Sequence, residues 1–137
     1  MRQPARQRGF TLMELIVVIT ILAFVAVIIA PQMFDRADDA KRKAAQIQID
    51  KVAAAIQLYK LEVGRFPETL QDLVQQPAGA DNWRGPYLDK KALLQDPWHR
   101  DLVYVQPGEH RRFDLSSYGS DGNAGGEGDD ADITNWE

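Results

Sequence analysis

Cysteine is missing altogether from this 137-residue chain. Its absence excludes disulfide staples, thiolate metal sites and cysteine nucleophiles, and leaves open whether the surroundings are reducing or oxidising. Histidine is scarce: only His99 and His110 occur, both in polar, turn-like contexts that suit solvated surface positions better than a catalytic base. No basic stripe interleaved with aromatics is present, so no nucleic-acid partner is expected, because phosphate binding needs clustered Lys and Arg. No internal repeat is visible, and the length allows one small domain rather than two independent cores. The formal charge is -4, but Arg2, Arg6 and Arg8 lie ahead of the main apolar run. Beyond them 13 Lys and Arg face all 20 Asp and Glu, so the exposed part is acidic.

What is present begins with that run. Residues 10–30 read FTLMELIVVITILAFVAVIIA and carry one charge, Glu14. As a helix rising about 1.5 Å per residue, they cover roughly 30 Å, the thickness of a bilayer's hydrocarbon. A buried core helix of a soluble protein seldom runs so long. A cleaved secretory signal would have a shorter apolar stretch, no internal carboxylate and a small-x-small site after it. Basic residues flank both ends, with Arg36, Lys41, Arg42 and Lys43 on the far side, so the Lys and Arg count is nearly even. The acid-free leader with its three arginines favours a cytoplasmic N-terminus and a C-terminal portion outside the inner membrane.

Glu14 is the anomaly in the run. A carboxylate within hydrocarbon costs on the order of 2.5 to 3.5 kcal/mol and normally marks a partner or a function. If the chain begins at Met1, Glu14 sits near enough to the end of the span to reach the interface. If the leader is removed between Gly9 and Phe10, a new positive amine appears about one helical turn from Glu14. A neighbouring copy could then supply the counter-charge.

After Pro31 the apolar positions Ala45, Ile49, Val52, Ile56, Tyr59 and Val63 alternate steps of four and three, one buried helical face. Gly64 is placed to cap the helix. The helix would then run over residues 10–63, roughly 80 Å. Residues 66–74 suggest a second, short helix, with Thr69 and Asp72 spaced as a capping box. Pro77, Gly79, Gly85 and Pro86 mark a loop. Two β-like runs, 102–106 and 113–117, flank Pro107, Gly108 and Glu109, which predicts a short antiparallel sheet. Trp83, Trp98 and Trp136 read as anchors for long loops rather than as a carbohydrate-binding set. Asp121, Asn123, Gly126, Asp129 and Asp132 fall at positions one, three, six, nine and twelve of a loop, near the EF-hand spacing. Position five is Gly125, position twelve is Asp rather than Glu, and no flanking helices are expected, so taken alone the segment reads as a flexible acidic loop.

Gly9, Phe10, Thr11, Leu12, Met13, Glu14 and Leu15, preceded by a short basic leader, resemble the processing site of type IV pilins and type II secretion pseudopilins. The resemblance implies that a prepilin peptidase cuts after Gly9 and methylates Phe10, and that Glu14 pairs with a neighbour's terminal amine. Pro31 matches the family's helix-kinking proline. Asp96-Pro97-Trp98, Ser120-Asp121-Gly122 and the closing Asp130-Ala131-Asp132-Ile133-Thr134-Asn135-Trp136 resemble the major pseudopilins of the type II secretion system in particular. That family uses a bound calcium ion where type IV pilins close a disulfide. The implied ligands are Asp121, Asp130, Asp132 and the Tyr118 carbonyl, with Asp129 as the substitute for Asp130. His99 stands where the family has a small turn residue, which leaves the conformation of that turn open.

The expected fold is α+β and pilin-like: one very long N-terminal helix packed against a short helix and a small antiparallel sheet, with a metal-stabilised C-terminal loop. Residues 1–9 form the cleaved leader, 10–30 the transmembrane or fibre-core half of the helix, 31–64 its amphipathic half, and 65–137 the periplasmic globular part with the calcium loop. The expected function is structural, not enzymatic. Copies held in the inner membrane by one span, with their domains in the periplasm, polymerise into the pseudopilus that promotes export of folded proteins. The implied partners are copies of the chain, minor pseudopilins, an inner-membrane assembly platform and the prepilin peptidase, with no small-molecule substrate. The alternatives are a type IV pilus subunit and a signal-anchored periplasmic ligand-binding module.

Overall fold

A computed structural model describes residues 10–136, apart from the side chains of residues 30–36 and 129. A single helix, α1, spans Leu12–Val63, 52 residues. Thr11 starts it: its hydroxyl accepts the Glu14 N–H at 3.2 Å, satisfying one of the first turn's orphan donors, and its carbonyl accepts the Leu15 N–H at 3.1 Å as the first intrahelical bond. Gly64 ends it at φ +87°, donating its N–H to the Lys60 carbonyl at 2.9 Å. The backbone is helical through position 31. The kink expected at Pro31 falls where side chains lie outside the described residues.

The chain divides into two units, Met1–Ala37 and Asp38–Glu137. In the first, Leu12–Ile29 is apolar and long enough to cross a membrane, with a mean hydropathy of 3.0, and none of it is buried by the chain itself. In the second, the face read from the spacing is the buried one: Ala45, Ile49, Val52, Ile56 and Tyr59 are at most 1 % exposed, and Val63 packs at the edge. Each fully covered aliphatic side chain among them contributes about 1.5 to 3 kcal/mol by leaving water.

The second helix expected over residues 66–74 is a single 3-10 turn, Leu70–Leu73. Both of its ends are closed within one turn. The Asp72 carboxylate turns back to accept the N–H groups of Glu68 at 2.8 Å and Thr69 at 3.3 Å. At the other end the Gln71 carbonyl takes both the Val74 and Gln75 N–H groups, so the ladder closes after one turn. Trp83 then pins the following loop, donating its indole N–H to the Asp72 carbonyl at 2.8 Å and meeting Tyr87 edge-on.

The sheet is antiparallel and ordered β1-β2-β3. β1 is Val103–Val105 and β2 is Asp114–Ser117, with Tyr104 opposite Leu115. The third strand, β3, Ile133–Thr134, comes from the acidic C-terminal segment and was not expected from the sequence. It makes β2 the central strand, buried along its whole length. Asn135 extends the pairing with its side chain, its Oδ1 accepting the Leu115 N–H at 2.9 Å. Two residues are too few to show a period of two, so nothing but composition was available to find β3.

The connection between β1 and β2 is organised by one buried carboxylate. Asp114 accepts N–H groups from Glu109, His110 and Arg111 at 2.8 to 3.1 Å, and the His110 ring lies 3.1 Å away. Gly108 is required here, since a Cβ at that position would come within 2.6 Å of Asp114 Oδ1. Burial pushes the Asp114 carboxyl up, but these donors outweigh it and hold the group below the usual carboxylate range. A depressed folded value means the stabilisation is complete above about pH 4, the ordinary carboxylate value, and is lost as pH falls through the lower folded value. Asp114→Ala should therefore cost about 2 to 3 kcal/mol at pH 7, because it strands three N–H groups. A thermal melt at neutral pH matching the parent would contradict this reading of the turn.

Candidate functional site

Two regions carry the residues singled out by the sequence. The first is the N-terminal end. Gly9 lies outside the described residues. Phe10 is 80 % exposed immediately before α1, and Glu14 sits in the first helical turn with its side chain exposed and its own N–H capped by Thr11. Thr11 and Glu14 have the spacing of a capping box. The residues that resemble a processing signal thus also define where the helix starts.

The second region is the C-terminal loop, which is framed from two sides. Asp96 is buried in the turn before β1. Its Oδ1 accepts the N–H groups of Trp98 and Arg100, both at 2.9 Å, and its Oδ2 accepts the Ser117 hydroxyl at 2.7 Å. The turn keeps its tight conformation despite His99, which adopts φ +66°, a left-handed value that glycine takes at less cost. Arg100, held by that turn, donates to the carbonyls of Gly119 and Ser120. Its guanidinium occupies the space where a Cβ on Gly122 would fall. From the helix side, Arg42 donates to the Ala131 carbonyl at 2.7 Å. The sequence did not single out Arg42 or Arg100 for this work. The Asp96-Pro97-Trp98 turn signal was visible, but the reach of the arginine four residues after Asp96 is a tertiary fact.

Within this frame lie the expected metal ligands. The Tyr118 carbonyl accepts the Gly122 N–H at 3.2 Å. Asp121 Oδ1 accepts the Asn123 N–H at 3.0 Å, and that bond, aided by the charge of Arg100, holds its carboxyl below the usual range. Asp130 Oδ1 accepts the Ser120 hydroxyl at 2.8 Å, and Asp132 Oδ2 accepts the Gly125 N–H at 3.0 Å. The Asp129 side chain lies outside the described residues. Among those that are described, no three Asp, Glu or His side chains converge on one point. One atom nevertheless fits a cation: Asp132 Oδ1 is buried and has no hydrogen-bond partner. A carboxylate oxygen withdrawn from water and left unpaired is costly. An oxygen-seeking cation would satisfy it, and carboxylates and carbonyls are the donor type that calcium takes.

Most of the remaining candidates are packed into the structure. His110 stacks on Trp136, with ring centroids 4.3 Å apart and planes at 1°, and so ties down the C-terminus. Trp98 packs against the core, and Trp83 anchors its loop. His99 is exposed in its turn.

Comparison with known proteins gives a consistent picture. The family described as "Type II secretion system (T2SS), protein G" matches residues 32–136, and the prokaryotic N-terminal methylation motif matches residues 4–30. The type II secretion system core protein G of Pseudomonas aeruginosa is 42% identical, the match covering 98% of this chain and 99% of the relative. That of Xanthomonas campestris is 40% identical, covering 96% and 93%, and that of Escherichia coli K12 is 38% identical, covering 99% and 95%. The crystal structure of the major pseudopilin from the type 2 secretion system of enterohaemorrhagic Escherichia coli superposes with a TM-score of 0.62 at 30% identity, covering 74% of this chain and 87% of that one.

Proposed function

Since the chain belongs to the protein G family of the type II secretion system, we propose that it serves as the major structural subunit of a pseudopilus, held in the inner membrane before assembly and packed through its apolar helix half afterwards. The observation that carries this reading is the uncovered helix Leu12–Ile29. Roughly 27 Å of apolar helix with no cover from its own chain must sit in lipid or against other apolar helices. Copies of the same helix meet that need in a polymer, and lipid meets it beforehand.

The N-terminal methylation motif supports the rest of the N-terminal chemistry. A prepilin peptidase removes residues 1–9 and methylates Phe10, and the domain stands in the periplasm. Glu14 then pairs with the Phe10 amine of an adjacent copy, offsetting the cost of a carboxylate in an apolar bundle and setting the axial register. Pro31, lacking an N–H, loosens the helix at the end of the apolar half. Minor pseudopilins and an inner-membrane assembly platform complete the machine, and the mechanical work comes from a cytoplasmic ATPase. The role is structural and involves no catalytic step. Glu14→Ala should leave membrane insertion intact while abolishing fibres; fibres of normal yield from that variant would remove the register role.

Calcium is the proposed staple of the C-terminal loop, with Asp121, Asp130, Asp132 and the Tyr118 carbonyl as ligands and Asp129 able to replace Asp130. The orphaned Asp132 Oδ1 supports it. A cation bound at about one hundred times its dissociation constant stabilises the folded state by about 2.7 kcal/mol, which for a unit this size raises the melting temperature on the order of 10 °C. Melts of the full chain in detergent should show that loss on chelation. A melting temperature indifferent to calcium and chelator would take the metal out of the account.

A further inference from the structure

The second unit has a groove of about 830 Å³ between the outer half of α1 and the start of β2. Its walls include Ala54, Phe66 and Phe113, and its rim carries Lys60, Arg111 and Arg112. Leu61, also on the rim, is 81 % exposed. Among the described residues neither arginine is ion-paired. Lys60 sits 4.1 Å over the Phe66 ring. The one acid on the groove, Asp50, already receives the Gln46 amide at 3.3 Å. This is an amphipathic slot with an unanswered positive rim.

The complementary surface is on the same chain. After Arg112 no Lys or Arg follows, while Asp and Glu occur seven times. Of the loop's exposed acids, Glu127 lies outside the proposed calcium ligand set. The chain's own loop does not reach the groove, because Arg42 and Arg100 clamp it by the carbonyls of Ala131, Gly119 and Ser120. Arg42 and Gln57, on the groove, are 15 residues apart on α1, about 22 Å along the axis. A helical polymer needs two different, mutually complementary patches offset on one subunit, and this pair has that form.

We infer that in the fibre the acidic loop at residues 120–130 of one copy docks against the groove rimmed by Lys60, Arg111 and Arg112 of the next. The inference rests on the polymer reading above and adds a second contact, between domains, to the one in the helix core. Glu127, which is not among the proposed calcium ligands, meets the rim, and the small residues of the loop allow close approach to the apolar wall.

The natural absence of cysteine makes this directly measurable. The full-length chain carrying Arg112→Cys and Glu127→Cys would be assembled in cells that hold the secretion machinery, and the sheared fibres oxidised. The expected result is a ladder of covalent multimers on a non-reducing gel that collapses to monomer on reduction, because disulfides form only where Cα atoms approach within about 7 Å. Each single variant should give no species above a dimer. Fibres of the double variant that yield no ladder would overturn the docking. Should either cysteine hinder assembly, charge exchange decides: Arg112→Glu should cut fibre yield roughly tenfold, as loss of a close charge pair does, and adding Glu127→Arg should restore it. Failure of that restoration would equally overturn the docking. A native chain that forms no fibre at all would instead overturn the polymer reading beneath it.

Discussion

An apolar helix with nothing of its own chain to cover it is the constraint from which the rest follows. Leu12–Ile29 has no buried residue in the isolated molecule, and its exposure to water would cost far more than a small domain's entire margin of stability. Lipid and like helices both satisfy it, and they differ in what they demand at the helix start. In lipid, Glu14 can reach the interface. In a bundle it needs a cation, and the adjacent copy's amine is the one that the processing motif would create.

The outer half of α1 solves the opposite problem. It has the same backbone but a polar face, and its buried stripe collects the small sheet, a 3-10 turn and several long loops into one core. Loops of this kind need fixing, and without disulfides the fixing is done by polar groups. Asp72 closes a turn, Asp114 gathers three backbone N–H groups, and Asp96 joins the turn at Trp98 to β2. Arg100 and Arg42 then hold the C-terminal loop by its carbonyls. The cation proposed at Asp132 would add one more tie of the same kind, a positive charge gathering oxygen atoms.

The long helix was legible in the sequence because Ala45, Ile49, Val52, Ile56 and Tyr59 repeat at its own period, and Gly64 marks its end. The first two strands were legible because each is a β-rich run bounded by turn residues. What escaped was short or non-local. The short helix expected over residues 66–74 is present, but its extent escaped: it is the four-residue 3-10 helix Leu70–Leu73, because a capping pattern signals where a helix starts but not how far it continues. β3 has two residues inside a Gly- and Asp-rich segment, and only its partner β2 makes it a strand. At the C-terminal loop, the acids were visible as candidate ligands, but the arginines that frame them come from positions 42 and 100, far away in sequence. No local pattern encodes such contacts. His99 shows the converse: its left-handed backbone is fixed by the buried Asp96 carboxylate across the turn, which overrides the residue's own preference.

The three arginines of residues 1–9 adjoin the apolar segment, and burying them among packed helices would forfeit the energy that the packing supplies. Intact-mass spectrometry of subunits recovered from native fibres should therefore give residues 10–137 bearing one added methyl group. Subunits that retain residues 1–9 within working fibres would contradict the account.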